Sequence, residues 1–268
     1  MDTITRKRTA EEVFCNARIR YLPDETGVYR PYELVCFSRK SFKLPGWEAP
    51  PQPKKKSKVD EIFDAAEEQP LRDAENRRKS YQRARNKLFD LLMCTTAFDT
   101  FVTLTLDPEK IDRFDYGEIM KKWRVWFDNR VRRRDLVYAF VPERHKSGAI
   151  HFHGLCNGGA LDLARAHSPY TGEALSDDEG RPIYNLTDFP YGFTTAITLS
   201  GENARTATAK YCYKYITKSD GEKIGGRYYL SGGALGRPRY EYTTVDFDTI
   251  PGKEITVCGS ITCKKVRL

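Results

Sequence analysis

Five residues, Arg144-His-Lys-Ser-Gly148, separate two apolar-rich runs, Leu136 to Glu143 and Ala149 to Cys156. So short a link, closing on glycine, makes the runs two antiparallel strands of a hairpin. Pairing sets residues on either side of the loop opposite each other, within cross-strand reach. The second run contains His151-Phe152-His153. Alternation along a strand puts both imidazoles on one face and Phe152 on the other. Glu143 stands eight positions before His151, an even separation that keeps it on the same face if no bulge intervenes. Two same-face imidazoles and a carboxylate make a three-ligand site for a divalent cation, with positions left open for substrate. The plainer reading is a pair of outward polar residues on a half-exposed strand. The carboxylate at matching parity favours ligands.

Imidazole and carboxylate together suit Mg²⁺ or Mn²⁺ during turnover. The chain has four histidines. Of the other two, His145 falls in the hairpin loop as a surface residue, and His167 has no evident partner. The seven cysteines are scattered, odd in number and never paired as C-x-x-C, which argues against a disulfide framework or a zinc knuckle and for a reducing cytoplasm. Lys and Arg number 45 against 37 Asp and Glu, giving a net charge of +8 and favouring a polyanionic partner. No apolar run approaches a membrane span, and the first residues have no apolar stretch of a secretory signal.

Along the chain, residues 1–58 read as an extension of short strand-like pieces (Ala17–Tyr21, Tyr32–Phe37) closing in a basic, proline-rich linker, Pro50–Lys58. Residues 59–98 form a basic helical segment, expected to break near Pro70. Between Arg72 and Lys87 it holds seven basic residues and two acidic ones. Such a run is either a solvated face or a contact for a DNA backbone. Residues 99–245 form the main domain. Phe101–Leu106 alternates strictly and reads as a strand, and residues 116–134 carry Ile119, Trp123, Trp126, Phe127 and Val131 at helical spacing. Four arginines, Arg130, Arg132, Arg133 and Arg134, gather at that helix's end. Residues 157–190 read as a long irregular excursion, Phe193–Leu199 as a strand, Asn203–Ser219 as a helix, and Arg227–Leu230 as the last core strand. Residues 246–268 are left as a β-containing tail. The order is read as strand, helix, strand, strand, helix, strand: an α+β, ferredoxin-like (RRM-like) antiparallel sheet with helices on one face.

On the expected helix, Tyr211, Lys214, Tyr215 and Lys218 stand at i, i+3, i+4 and i+7 and share a stripe, while Tyr213 points elsewhere. Tyrosines at such spacing usually pack against a sheet. Two lysines in the same stripe raise a second reading, because a cation beside a phenol favours the phenolate that a tyrosine nucleophile needs.

Taken together, these residues resemble the HUH endonuclease superfamily, in particular the rolling-circle replication initiators of single-stranded DNA phages and small plasmids, including gene II-like proteins of filamentous phages. Phe101–Leu106 is similar to the first motif, Glu143 with His151-Phe-His-Gly154 to the metal motif, and Tyr211–Lys218 to the tyrosine motif. The resemblance covers about residues 99–231. It implies a metal-dependent nickase and strand transferase: Glu143, His151 and His153 hold the cation, Tyr211 or Tyr215 attacks DNA, and Lys214 or Lys218 steadies the developing charge. It also implies single-stranded origin DNA as substrate and a bacterial cytoplasm as workplace. The sequence has no G-x-x-x-x-G-K-[ST] loop, so unwinding would fall to a host helicase and extension to a host polymerase. A transposase or relaxase shares this chemistry, and a non-catalytic nucleic-acid-binding sheet is the alternative from another class.

Overall fold

The computed structural model describes residues 14–44, 65–200, 223–258 and 260–268, together with Thr206, Ala209 and Tyr213. Its elements begin with β1 (Phe14–Cys15), β2 (Ala17–Pro23), β3 (Tyr29–Phe37), β4 (Phe42–Lys43), α1 (Ala65–Cys94), β5 (Thr100–Leu106) and α2 (Tyr116–Arg134). They continue with β6 (Tyr138–Arg144), β7 (Ile150–Cys156), β8 (Leu163–Arg165), β9 (Tyr184–Leu186), β10 (Gly192–Thr198) and β11 (Leu230–Gly232). The last are β12 (Arg239–Thr243), β13 (Ile255–Cys258) and β14 (Ile261–Arg267). The architecture is α+β with antiparallel strand pairing. The chain divides into two compact units, Met1–Ala66 with Pro238–Leu268, and Glu67–Arg237.

In the first unit five strands run in the order β12-β2-β3-β14-β13. The N-terminal extension and the C-terminal tail, expected as separate segments, therefore share one sheet, and β12 joins them rather than the main domain. Ala17, Leu34 and Cys36 are its buried core, with Ile19, Val245, Phe247, Ile250 and Val266 packed against them. Asn16 is buried beside this core: its Nδ2 donates to the carbonyls of Val245 at 2.9 Å and Phe37 at 3.2 Å, and its Oδ1 accepts from Val245 N at 2.9 Å. The β2–β3 turn is organised by Asp24, whose Oδ1 accepts from Thr26 N, Thr26 Oγ1 and Val28 N.

Among the described residues the second unit holds seven strands in the order β11-β6-β7-β5-β10-β9-β8. One face is apolar because alternation sends Val102, Leu104, Phe140, Ile150 and Phe152 the same way, and α2 covers them with Ile119, Trp123, Trp126 and Phe127. The Trp123 ring lies 4.4 Å from Phe152 and 5.3 Å from Phe140, centroid to centroid. Asp115 caps α2, its Oδ1 accepting from Gly117 N at 2.7 Å and Glu118 N at 3.2 Å. Asp135 ends the helix in the left-handed region at φ 52°.

The structure corrects several expectations. The expected order of elements leaves out Phe193–Leu199, which is β10 and pairs with β5 over its whole length. The excursion is not wholly irregular, since β8 and β9 extend the sheet beyond β10. Arg130, which stacks on Trp126 at 3.7 Å, pairs with Asp188, and Arg134 pairs with Asp162 at 2.5 Å. Two arginines of the cluster at the end of α2 thus tie down the excursion. The last core strand falls at Leu230–Gly232 rather than Arg227–Leu230. Helix α1 runs through Pro70 without a break; proline has a helix-compatible φ and removes one N–H donor, a local loss near the start of so long a helix. Residues 73–79 of α1 are exposed all round, and its burial begins in earnest at Leu88, Leu91, Leu92 and Met93. The Pro50–Lys58 linker lies outside the described residues. Among the described residues no helix is long and apolar enough to cross a membrane.

Candidate functional site

The face of the second sheet opposite α2 carries the predicted metal residues. Their placement follows from an unbroken register: Glu143 is paired with His151 across β6 and β7, and Val141 with His153. On the other flank of β7, Thr105 of β5 pairs with His151 and Thr103 with His153. Thr105 in turn pairs with Phe193 of β10. Glu143, His151, Thr105 and Phe193 therefore form one row across four strands, all on the same face. Gly154, directly after the histidines, lies where a Cβ would run into the Ala139 carbonyl and the Phe140 ring. The strand after the histidines can thus approach β6 only without a side chain there.

Thr103 Oγ1 lies 3.1 Å from His153 Nδ1, and Thr105 Oγ1 lies 3.3 Å from His151 Nδ1. Each threonine hydroxyl thereby engages the same nitrogen of its histidine and leaves Nε2 as the other ring atom. His153 Nε2 lies 3.1 Å from Glu143 Oε2. The His153 ring runs parallel to Phe101 with centroids 6.5 Å apart. His145 is exposed, as its loop position predicts, and its ring also stacks on His151 with centroids 5.3 Å apart. Burial pushes the His151 imidazole below its ordinary value, and His145 and Arg113 push it further while Glu143 opposes them. The neutral ring, whose free nitrogen can donate a lone pair, is the favoured form. Among the described residues no group of three or more His, Cys, Asp or Glu side chains is gathered closely enough to hold a metal ion. His153 and Glu143 thus make a close pair, with His151 one strand step along on the same face.

Arg113 was not foreseen. Its carbonyl accepts from Ile150 N at 3.0 Å, which anchors it one residue before His151. Its Nε is buried and has no hydrogen-bond partner among the described residues. A guanidinium near the histidines is suited to an anionic substrate. The signal was faint, because Arg113 sits in the Asp-rich connection before α2 and reaches the site only through that backbone bond. His167 is elsewhere, its Nδ1 3.0 Å from the Arg165 carbonyl in the excursion.

Of the expected tyrosine helix, Thr206, Ala209 and Tyr213 are described and helical, with Ala209 buried. Tyr213 packs toward α1, its ring 6.0 Å from Phe89 and beneath Arg85 at 4.8 Å. Tyr211, Lys214, Tyr215 and Lys218 lie outside the described residues.

Residues 99–220 match the model of a family of replication-associated proteins, the ORF2 and gene II protein family. The matched segment contains β5, α2, the His-Phe-His hairpin, β10 and the tyrosine stretch. It supports a Rep-like replication protein that acts on DNA. No curated protein and no solved structure matches the chain.

Proposed function

We propose that this chain is a rolling-circle replication initiator that nicks single-stranded DNA at an origin, with a tyrosine as nucleophile and a divalent cation, Mg²⁺ or Mn²⁺, at Glu143, His151 and His153. The observation that carries the reading is the paired orientation of the histidines: both turn Nδ1 to a threonine hydroxyl of β5, the outer support that metal-binding imidazoles ordinarily have. The donor set fits as well. A 3.1 Å separation between His153 Nε2 and Glu143 Oε2 is close to the ~3 Å between neighbouring ligands of an octahedral ion with bonds of about 2.1 Å. When bound, the cation would supply Lewis-acid polarisation of the scissile phosphate. The match to a replication-associated family supports the substrate class. The strand order β10-β5-β7-β6, with α2 between β5 and β6 in sequence, supports a ferredoxin-like sheet of the HUH kind.

In this reading the protein's own groups do the following. Arg113 and the histidine face hold the phosphate for in-line attack. The hydroxyl oxygen of Tyr211 bonds to phosphorus as the bond from phosphorus to O3′ breaks. The phenolic proton is given up and the departing oxygen ends as a free 3′-OH, while the 5′ phosphate stays on the tyrosine. Lys214, three residues on, favours the phenolate before attack. Tyr215 with Lys218 repeats the arrangement for the second transfer, in which a 3′-OH attacks the phosphotyrosine and reseals the strand without ATP. A host helicase and polymerase would complete the cycle in the bacterial cytoplasm.

The test is incubation of the purified protein with Mn²⁺ and end-labelled single-stranded origin DNA, followed by mass spectrometry of the peptide left on the 5′ end. We expect an adduct on Tyr211, loss of nicking in Tyr211→Phe, and nicking without efficient rejoining in Tyr215→Phe. An adduct on Tyr215 alone would exchange the two roles. Binding with no adduct would leave a non-catalytic DNA-binding sheet, and insertion of a strand into unrelated DNA would indicate a transposase.

A further inference from the structure

Phe193 is an anomaly on its strand. It is 69% exposed, whereas its neighbours Thr194 and Ala196 are buried at 6% and 0%. Alternation explains the neighbours, which face α2, and requires whatever stands at 193 to face the opposite side. That side is the face of His151 and His153, and Phe193 is in register with Thr105 and, through it, with His151. Two strand spacings separate Phe193 from His151, about 10 Å. The residues between and beside them on this face, Thr105, Thr103 and Thr195, are small and leave the ring uncovered. The strand beneath is fixed closely. A Cβ on the preceding Gly192 would run into the Thr105 carbonyl, and Asp107 N donates to the Tyr191 carbonyl at 3.0 Å. A large apolar ring on a rigid strand and open to solvent beside polar and cationic groups calls for a flat partner that is itself attached to a negative charge.

We infer that Phe193 is the floor of a base-binding subsite, on which one unpaired nucleobase next to the scissile phosphate stacks. The inference rests on the proposed reading of the histidine face as the phosphate site. Arg113, with its buried unpartnered Nε, supplies charge for the backbone on the same site. Phe193 supplies a π-face, which accepts any base and so tolerates sequence. Single-stranded rather than duplex DNA follows, because a paired base has no free face to offer.

The experiment uses the full chain in EDTA, so that binding is read apart from cleavage. Anisotropy with a labelled single-stranded oligonucleotide would compare Phe193→Ala, Phe193→Leu and Phe193→Trp. We expect Ala and Leu to weaken binding by roughly fivefold or more, the loss of one aromatic–base stack, and Trp to keep it. The added emission of Phe193→Trp over wild type should be quenched by the oligonucleotide and restored when the base at one position is replaced by an abasic residue. Ala binding as tightly as wild type, Leu as good as Phe, an unquenched Trp, or no binding by any of the proteins would each overturn the subsite. Leu retaining full affinity would point instead to an apolar contact with another protein. Quenching and weakened binding in the absence of any covalent adduct with Mn²⁺ would leave the subsite standing and remove the nickase.

Discussion

A histidine can present either ring nitrogen, and on this sheet the choice is made by the strand next door. Thr103 and Thr105 each hold an Nδ1 within 3.3 Å, so both rings turn the same edge to the face that carries Glu143. Without those hydroxyls the rings are free to rotate about χ2, and a ligand set that must be ordered on binding binds less tightly. We expect Thr103→Val with Thr105→Val to lower Mn²⁺ affinity by roughly tenfold or more, with the fold and its near-ultraviolet circular dichroism intact. Thr→Ser at both positions should restore it. Calorimetry with Mn²⁺ decides the matter; unchanged affinity in the valine pair would mean the threonines only pack. His153→Ala should abolish both Mn²⁺ binding and nicking. The histidines themselves were legible from alternation and parity alone. The threonines were legible as a strand but not as partners, because which residue of β5 meets which residue of β7 is a matter of register between segments about 50 residues apart.

At the scale of elements, local pattern was read where it is strong and lost where it is short. β5, the β6–β7 hairpin and α2 carry a period of two or 3.6 over a full strand or helix, and each stands where the sequence puts it. β8 and β9 have three residues each, set among Gly, Pro, Asp and Ser, and their pairing comes from neighbours rather than from their own side chains. The basic run in α1 shows a further limit, because charge predicts exposure but not partner. Residues 73–79 are exposed, and Lys79 is held at 2.7 Å by Glu75, an ordinary i,i+4 pair on a solvated helix. If Arg77, Arg78 and Lys79 nonetheless grip single-stranded DNA, changing all three to Ala should lower the slope of log K against log salt by roughly 0.7 for each phosphate no longer neutralised. An unchanged slope would identify the run as surface. The β2–β3 turn offers a pH test. The Thr26 hydroxyl, with the neighbouring Arg30 and backbone donors, holds the Asp24 carboxyl at about 2 against an ordinary value of 3.8. A depressed carboxylate contributes stability that is fully present above 3.8 and is lost as pH falls through about 2. Thermal melts should therefore show wild type above Asp24→Ala at pH 6, with the gap closing between pH 4 and pH 2. A gap constant over that range would show that the turn does not depend on the charged carboxylate.

The whole molecule is organised by pairing that no local pattern announces. Three of the five strands in the first unit, β12, β13 and β14, come from the C-terminal 31 residues of Pro238–Leu268, while β2 and β3 come from the other end of the chain. The ends were legible as β-containing but were taken for an extension and a tail. Nothing in either segment alone records that Lys264 stands opposite Cys36, or that Asn16 closes two hydrogen bonds on Val245, 229 residues away. The second unit has its own core of α2 against the sheet and draws none of its strands from those segments. Removal of Pro238–Leu268 should then have a divided effect. Left with β2 and β3, the first unit becomes a lone hairpin, which is marginal in water. It also loses Val245, Phe247, Ile250 and Val266 from its core and exposes the Asn16 amide. Hydrogen exchange followed by mass spectrometry should show residues 17–37 losing protection in the truncated chain, while residues 100–106 and 150–156 keep theirs. The milder change Asn16→Ala, which orphans the N–H and carbonyl of Val245, should destabilise the first unit by about 2 to 3 kcal/mol. It should leave exchange in β5 and β7 unaltered. Retained protection of residues 17–37 after truncation would mean that the hairpin is held by something other than its sheet, and a simultaneous loss in β5 and β7 would mean that the two units do not fold separately.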